Sequence, residues 1–144
     1  MQKGSDFFHL VQLAKRRYAD ALRPVEQAHG LTRNEIDVLL FLANNPGYDT
    51  ARDIVELRAL TKSHVCKSVD SLVRRGFLAG RQDGRDRRCV RLSILPAAGG
   101  AVEEARQAQQ HFFQMLYRGI PPQECRAMER MLERLADNLK EGGE

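Results

Sequence analysis

At Gly76 the hydrophobic period of this chain changes from that of a helix to that of a strand. Before it, Val65, Val69, Leu72 and Val73 recur at helical spacing, between an N-cap at Thr61 and a stop at Gly76. After it, Phe77 to Arg81 reads as a strand. Val90, Leu92 and Ile94 then alternate with Cys89, Arg91 and Ser93. The polar stretch Gln82 to Arg87 lies between, with Asp83-Gly84 as a turn signal. A basic helix followed directly by a basic hairpin makes one surface, and few small folds contain that pair.

The rest of the chain reads as helix. Ser5 to about His29 carries Phe8, Val11, Tyr18, Leu22 and Val25 near helical spacing, with Pro24 expected to kink its last turns and Gly30 to stop it. Thr32-Arg33-Asn34-Glu35 is a capping box. The helix it opens is apolar on most sides and is expected at the centre of the core, ending at Asn44-Asn45-Pro46-Gly47. A short helix is predicted from Thr50 to Leu57, with Ala51, Ile54, Val55 and Leu57 as its inner face, and a turn over Arg58 to Leu60. With the Thr61 to Arg75 helix it outlines a helix-turn-helix. Pro96 is expected at the first position of a helix running to about Tyr117. Pro121-Pro122 starts a last helix to about Lys140, with Met128, Met131, Leu132, Leu135 and Leu139 on one face.

The predicted fold class is therefore mainly α with a small β-hairpin wing. It is divided as an N-terminal helix over residues 1–30, a winged helix-turn-helix over 31–95 and C-terminal helices over 96–144. With 42% hydrophobic and 29% charged residues, the chain is neither fibrous nor disordered. No apolar run approaches a membrane span, and the first six residues do not resemble a signal peptide, so a cytoplasmic protein is expected. Cys66, Cys89 and Cys125 are widely spaced, without a disulfide or zinc framework. His9, His29, His64 and His111 show no metal-ligand spacing, and no metal is expected. No nucleophile elbow, phosphate-binding glycine loop or zinc-protease motif is present, so neither catalysis nor a cofactor is expected.

The net charge is +4, unevenly spread. Thr61 to Arg91 holds nine bases against three acids, a surplus of six, which leaves the remainder of the chain at −2. Such a block is the footprint of a polyanion-binding surface, and equally of a solvated basic face. On the helix, Ser63, Lys67, Ser71 and Arg74 are expected to point away from the core, with His64 at the flank. Ser63 and Lys67 lie in the first turns, the end that enters the major groove when a helix-turn-helix docks on DNA. Thr61 and Lys62 complete the candidate recognition surface. Asp70 is expected to pair with a base such as Arg74. On the wing, Arg87 and then Arg85 are the candidates for the minor groove, with Arg88 bracing the turn. Asp83 and Asp86 are expected to hold neighbouring guanidiniums by bidentate pairing.

Gly30-Leu31-Thr32, Leu72-Val73-Arg74-Arg75-Gly76-Phe77-Leu78, and Asp83-Gly84-Arg85-Asp86-Arg87-Arg88 with Val90-Arg91-Leu92-Ser93 resemble the MarR family of winged helix-turn-helix transcriptional regulators. The resemblance spans almost the whole chain. It implies a homodimer held by the first and last two helices, with the wing in the minor groove and the Thr61 to Arg75 helix in the major groove. It implies a repressor of double-stranded DNA at a pseudo-palindromic operator, often relieved by a small molecule, a cysteine oxidation or a metal. The chain departs from the family pattern in Leu92-Ser93-Ile94-Leu95-Pro96-Ala97-Ala98-Gly99-Gly100, where Leu-Thr and a single Gly are common. It also lacks the first-helix cysteine of redox-sensing members.

An effector pocket between the first, central and dimerisation helices is what the resemblance implies. Phe8, Tyr18, Phe41, Phe112 and Met115 are candidates to line it, and an aromatic stripe of this kind is also ordinary core. Cys66 is a candidate redox sensor, or else a small buried apolar residue. Two other functions fit the charge pattern: a winged-helix protein-interaction dimer without specific DNA binding, and a non-specific DNA binder.

Overall fold

The computed structural model describes residues 3–141. Its order is α1 (Lys3–His29), α2 (Arg33–Asn44), α3 (Ala51–Arg58), α4 (Lys62–Arg74), β1 (Leu78–Gln82), β2 (Val90–Ile94), a 3-10 turn (Pro96–Ala98), α5 (Gly99–Leu116) and α6 (Pro122–Glu141). The chain divides into two compact units, Met1–Gln110 and His111–Glu144. Among the described residues no helix is long and apolar enough to cross a membrane.

The first unit is built around α2. Ile36, Val38, Leu39, Leu40 and Phe41 are all buried, as an all-round apolar helix requires. Leu22 and Val25 of α1, Ile54 of α3, Val65 and Leu72 of α4, and Leu78 and Leu92 of the hairpin close the same cluster. The helix ends follow their caps. Gly30 at φ 62° lets the Leu31 N–H reach the Glu26 carbonyl at 3.1 Å, and Gly76 at φ 76° lets the Phe77 N–H reach the Leu72 carbonyl at 2.9 Å. A second capping box, Thr50 with Asp53, opens α3. β1 and β2 pair antiparallel, with Gly80 opposite Leu92 and Gln82 opposite Val90.

Four local expectations are corrected. α1 runs unbroken through Pro24. Pro96 opens a 3-10 turn before α5 begins at Gly99, where the double glycine disfavours a regular first turn. Leu57 is 54% exposed, since a helix of eight residues turns only one narrow stripe inward and Ile54 occupies it. Val73 is 41% exposed and Ser68 is buried instead. At 3.6 residues per turn, Val65, Ser68 and Leu72 form one stripe and Val73 lies beyond its edge.

One buried carboxylate ties these helices together. Glu35 is only 4% exposed. Its Oε1 accepts the Thr32 N–H at 2.9 Å, while Thr32 Oγ1 accepts the Glu35 N–H at 3.1 Å. Its Oε2 accepts the Ser71 hydroxyl of α4 at 2.7 Å and lies 3.9 Å from Arg75 Nη1. Burial pushes the Glu35 pKa up. The Thr32 N–H, the Ser71 hydroxyl and the Arg75 charge outweigh it and hold the group below its ordinary 4.5. A depressed folded-state pKa contributes stability above about pH 4.5 that is lost as the pH falls through the folded value. Glu35→Gln should therefore cost about 1–3 kcal/mol at neutral pH, with the gap to the parent closing under more acid conditions. Urea denaturation at fixed protein concentration across pH 3 to 7 checks this, and a gap independent of pH would refute it.

The second unit holds the end of α5 and all of α6. α6 places Met131, Leu132, Leu135 and Leu139 on one side and buries no residue, with Leu139 79% exposed. Phe113 and Tyr117 stack at 6.0 Å between ring centroids. Burial raises the Tyr117 pKa, with Glu129 and Cys125 adding to the shift.

Candidate nucleic-acid interface

The candidate surface is α4 and the hairpin, both in the first unit. Thr61 caps α4, its hydroxyl accepting the His64 N–H at 3.3 Å. Lys62, Ser63, His64, Lys67 and Arg74 are exposed along the helix. Ser71 departs from this row, because its hydroxyl turns inward to Glu35. Asp70 and Arg74 are both exposed, and no ion pair joins them among the described residues.

The wing loop is shaped by its aspartates, mainly through backbone N–H groups and not by bidentate pairing with the arginines of the loop. Asp83 Oδ1 accepts the backbone N–H of Arg85 at 3.5 Å, and Asp86 Oδ1 accepts that of Arg88 at 3.0 Å. These are Asx turns, in which a short side chain replaces a backbone acceptor. The Asp83 N–H closes the loop on the Cys89 carbonyl at 2.9 Å. The guanidinium that Asp83 meets is that of Arg91 on β2, at 3.6 Å, and the stronger partner of Arg91 is Asp49, at 2.7 Å. The Asp49 hydrogen bond and charge raise the Arg91 pKa. Asp49 also accepts the Leu92 N–H at its carbonyl, at 2.8 Å, so the loop before α3 pins the root of the wing.

Arg75 is likewise committed to structure. Its Nη1 and Nη2 donate to the carbonyls of Gly30 at 2.8 Å and His29 at 3.0 Å, and its guanidinium lies 4.8 Å from the Phe77 ring centroid. The nine bases between Thr61 and Arg91 thus separate. Arg75 and Arg91 hold the fold. Lys62, Lys67, Arg74, Arg81, Arg85, Arg87 and Arg88 are exposed and form no side-chain ion pair among the described residues. The charge block marks only a candidate surface, and nothing in the sequence pattern distinguishes the two structural arginines.

Grooves flank α4 on both sides. One of about 610 Å3 runs between α4 and the hairpin, over Val69, Val73, Val90 and Leu92. Gly80 shapes it, since a Cβ there would come within 3.0 Å of Val90 Cγ1. The other, about 270 Å3, lies between the start of α2 and α4 and includes His64, Lys67 and Ser71. Cys66 is exposed and lines the first groove, against the alternative of a small buried residue. The helix face there turns away from the core stripe.

The candidate effector residues have different surroundings. Phe8 is exposed on α1 and Phe41 is buried in the core of the first unit. The Tyr18 hydroxyl accepts from Gln109 Nε2 at 2.9 Å, and the Arg33 guanidinium lies 4.5 Å from its ring centroid. Phe112 and Met115 belong to the second unit, the first buried and the second exposed.

The MarR family model matches residues 29–88. Among solved structures, BpsR of Bordetella bronchiseptica, whose DNA binding is regulated by 6-hydroxynicotinic acid, is 25% identical. The match covers 91% of this chain and 98% of that one, with a TM-score of 0.69. A MarR-family regulator of Silicibacter pomeroyi is 21% identical over 90% of this chain and 86% of its own, with a TM-score of 0.76. The transcriptional regulator SlyA is 19% identical over 95% and 96%, with a TM-score of 0.79. No curated protein sequence gives a significant match.

If Arg91 roots the wing, Arg91→Ala should accelerate amide hydrogen exchange at Leu92, Asp83 and Cys89 and leave α2 unchanged. Exchange measured residue by residue checks this, and unchanged protection at Leu92 would refute it.

Proposed function

This chain belongs to the MarR family of winged helix-turn-helix proteins, and from that premise we propose a sequence-specific repressor of double-stranded DNA, acting as a homodimer and released by a small-molecule effector. The coarser statement, a DNA-binding transcriptional regulator, follows from the family itself. The observation that carries the finer one is the row of seven exposed cations on α4 and the hairpin that form no side-chain ion pair among the described residues. Cations left unpaired on one surface are suited to replace the counterions of a phosphate backbone.

In this proposal Ser63, His64 and Lys67 enter the major groove, where Lys67 donates to guanine O6 and N7. Arg87 and Arg85 of the wing tip reach the minor groove. Thr61, Lys62, Arg74 and Arg88 meet phosphates at the margins. The exposed apolar residues of α1 and α6, including Phe7, Phe8, Leu132 and Leu135, support a second copy as partner. A two-fold dimer presents two α4 helices and so calls for a pseudo-palindromic operator. The effector is proposed by analogy with the Bordetella protein.

The test is a titration against the protein's own promoter region and a scrambled duplex of equal length, at two salt concentrations. Tight, salt-sensitive binding to the promoter alone is expected. Equal binding to both duplexes would overturn sequence specificity. Arg87→Ala should weaken binding to every sequence and lower the salt slope by about one per protomer. Lys67→Ala should cost about 1–3 kcal/mol at one base position and relax preference there. Leu135→Glu should shift the sedimenting species from dimer to monomer and remove tight promoter binding. A monomeric parent would refute the dimer.

A further inference from the structure

The sequence places Arg75 beside Arg74 at the end of α4, inside the block of bases. The structure separates the two. Arg74 is exposed with no ion pair among the described residues, whereas Arg75 is turned back across the fold. Its two terminal nitrogens donate to the consecutive carbonyls of His29, the last residue of α1, and Gly30, which ends the helix, at 3.0 and 2.8 Å. A helix C-terminus concentrates unsatisfied carbonyls and partial negative charge, and a planar guanidinium can satisfy two of them at once. The guanidinium has two further neighbours, the Phe77 ring with its centroid 4.8 Å away and Glu35 at 3.9 Å. Glu35 in turn takes the hydroxyl of Ser71, one turn earlier on α4. α1 is held on its other side too, where His29 Nε2 lies 2.9 Å from Glu104 Oε2 of α5.

We propose that Arg75 is a positioning residue for DNA recognition: it locks the C-terminal end of α4 to the C-terminal carbonyls of α1, so that the recognition helix takes its orientation from the first helix. This rests on the reading of α4 as the recognition helix. One N–H of each terminal nitrogen is engaged at the Gly30 and His29 carbonyls, and in this proposal Arg75 has that positioning role in place of a phosphate contact. A change in the tilt of α1 would be delivered to α4 through these two hydrogen bonds.

The test uses the full chain, confirmed folded by circular dichroism, and two duplexes. One is a sequence the parent protein enriches from a randomised pool, and the other is its scramble. Affinities for both are measured over a series of salt concentrations for the parent, Arg75→Ala, Arg75→Lys and Arg74→Ala. Arg75→Ala should lose about tenfold on the enriched duplex, and keep its affinity for the scramble and its salt slope. Arg75→Lys should behave like Arg75→Ala, since an ammonium cannot span both carbonyls in one plane. Arg74→Ala should weaken both duplexes and lower the slope by about one per protomer. A purely stabilising role for Arg75 would leave the enriched-to-scramble ratio of the folded protein unchanged and overturn the proposal. A phosphate contact would lower the slope and be rescued by lysine, which also overturns it. If the parent enriches no sequence, the repressor reading fails and this inference falls with it. Enrichment by the parent with an unchanged ratio in Arg75→Ala defeats the inference alone.

Discussion

The first unit depends on how one buried carboxylate is satisfied. Glu35 sits at the start of the central helix, where its two oxygens face different elements. Oε1 completes a local capping box and Oε2 reaches α4. An unpaired buried carboxylate would cost several kcal/mol, so the helices that carry its partners are held at fixed distances from α2. Arg75 extends the arrangement to the end of α1. Apolar burial supplies the bulk of the stabilisation and has no direction. Hydrogen bonds of this kind select one packing among several of similar apolar area.

The wing is held by the same logic at the surface. A two-stranded ribbon is marginal in water and needs external support. Leu78 and Leu92 give it a foot in the core, and Asp49 supplies both a carbonyl for the Leu92 N–H and a carboxylate for Arg91. The aspartates of the loop accept backbone N–H groups, and Asp83 also meets Arg91 on β2. Arg85, Arg87 and Arg88 form no side-chain ion pair among the described residues, so the loop keeps its positive charge. The acidic residues of this loop thus fix its shape through backbone N–H groups.

Much of the fold was legible in the sequence because its signals are local. Caps at Thr32 and Thr61, glycine stops at Gly30 and Gly76, and the change of period after Gly76 each act within a few residues. The charge block between Thr61 and Arg91 located the candidate surface for the same reason. The Asp-Gly turn and the alternation of Val90, Leu92 and Ile94 placed the hairpin within a residue or two of its observed ends.

What only the tertiary structure decided is the partner of each polar side chain. Ser71 looks outward on a wheel and is drawn inward by Glu35, 36 residues away in sequence. Arg75 and Arg91 read as two more cations of the block, and their acceptors lie 42 to 46 residues upstream. Ser68 is buried because α4 docks on a different stripe from the one its most apolar residues suggest. Helix ends and strand period are set by backbone geometry over neighbouring residues, so the sequence by itself determined the elements and the sign of their surface. Charge pairing depends on which elements meet in space, and that is decided only when the chain has closed around α2.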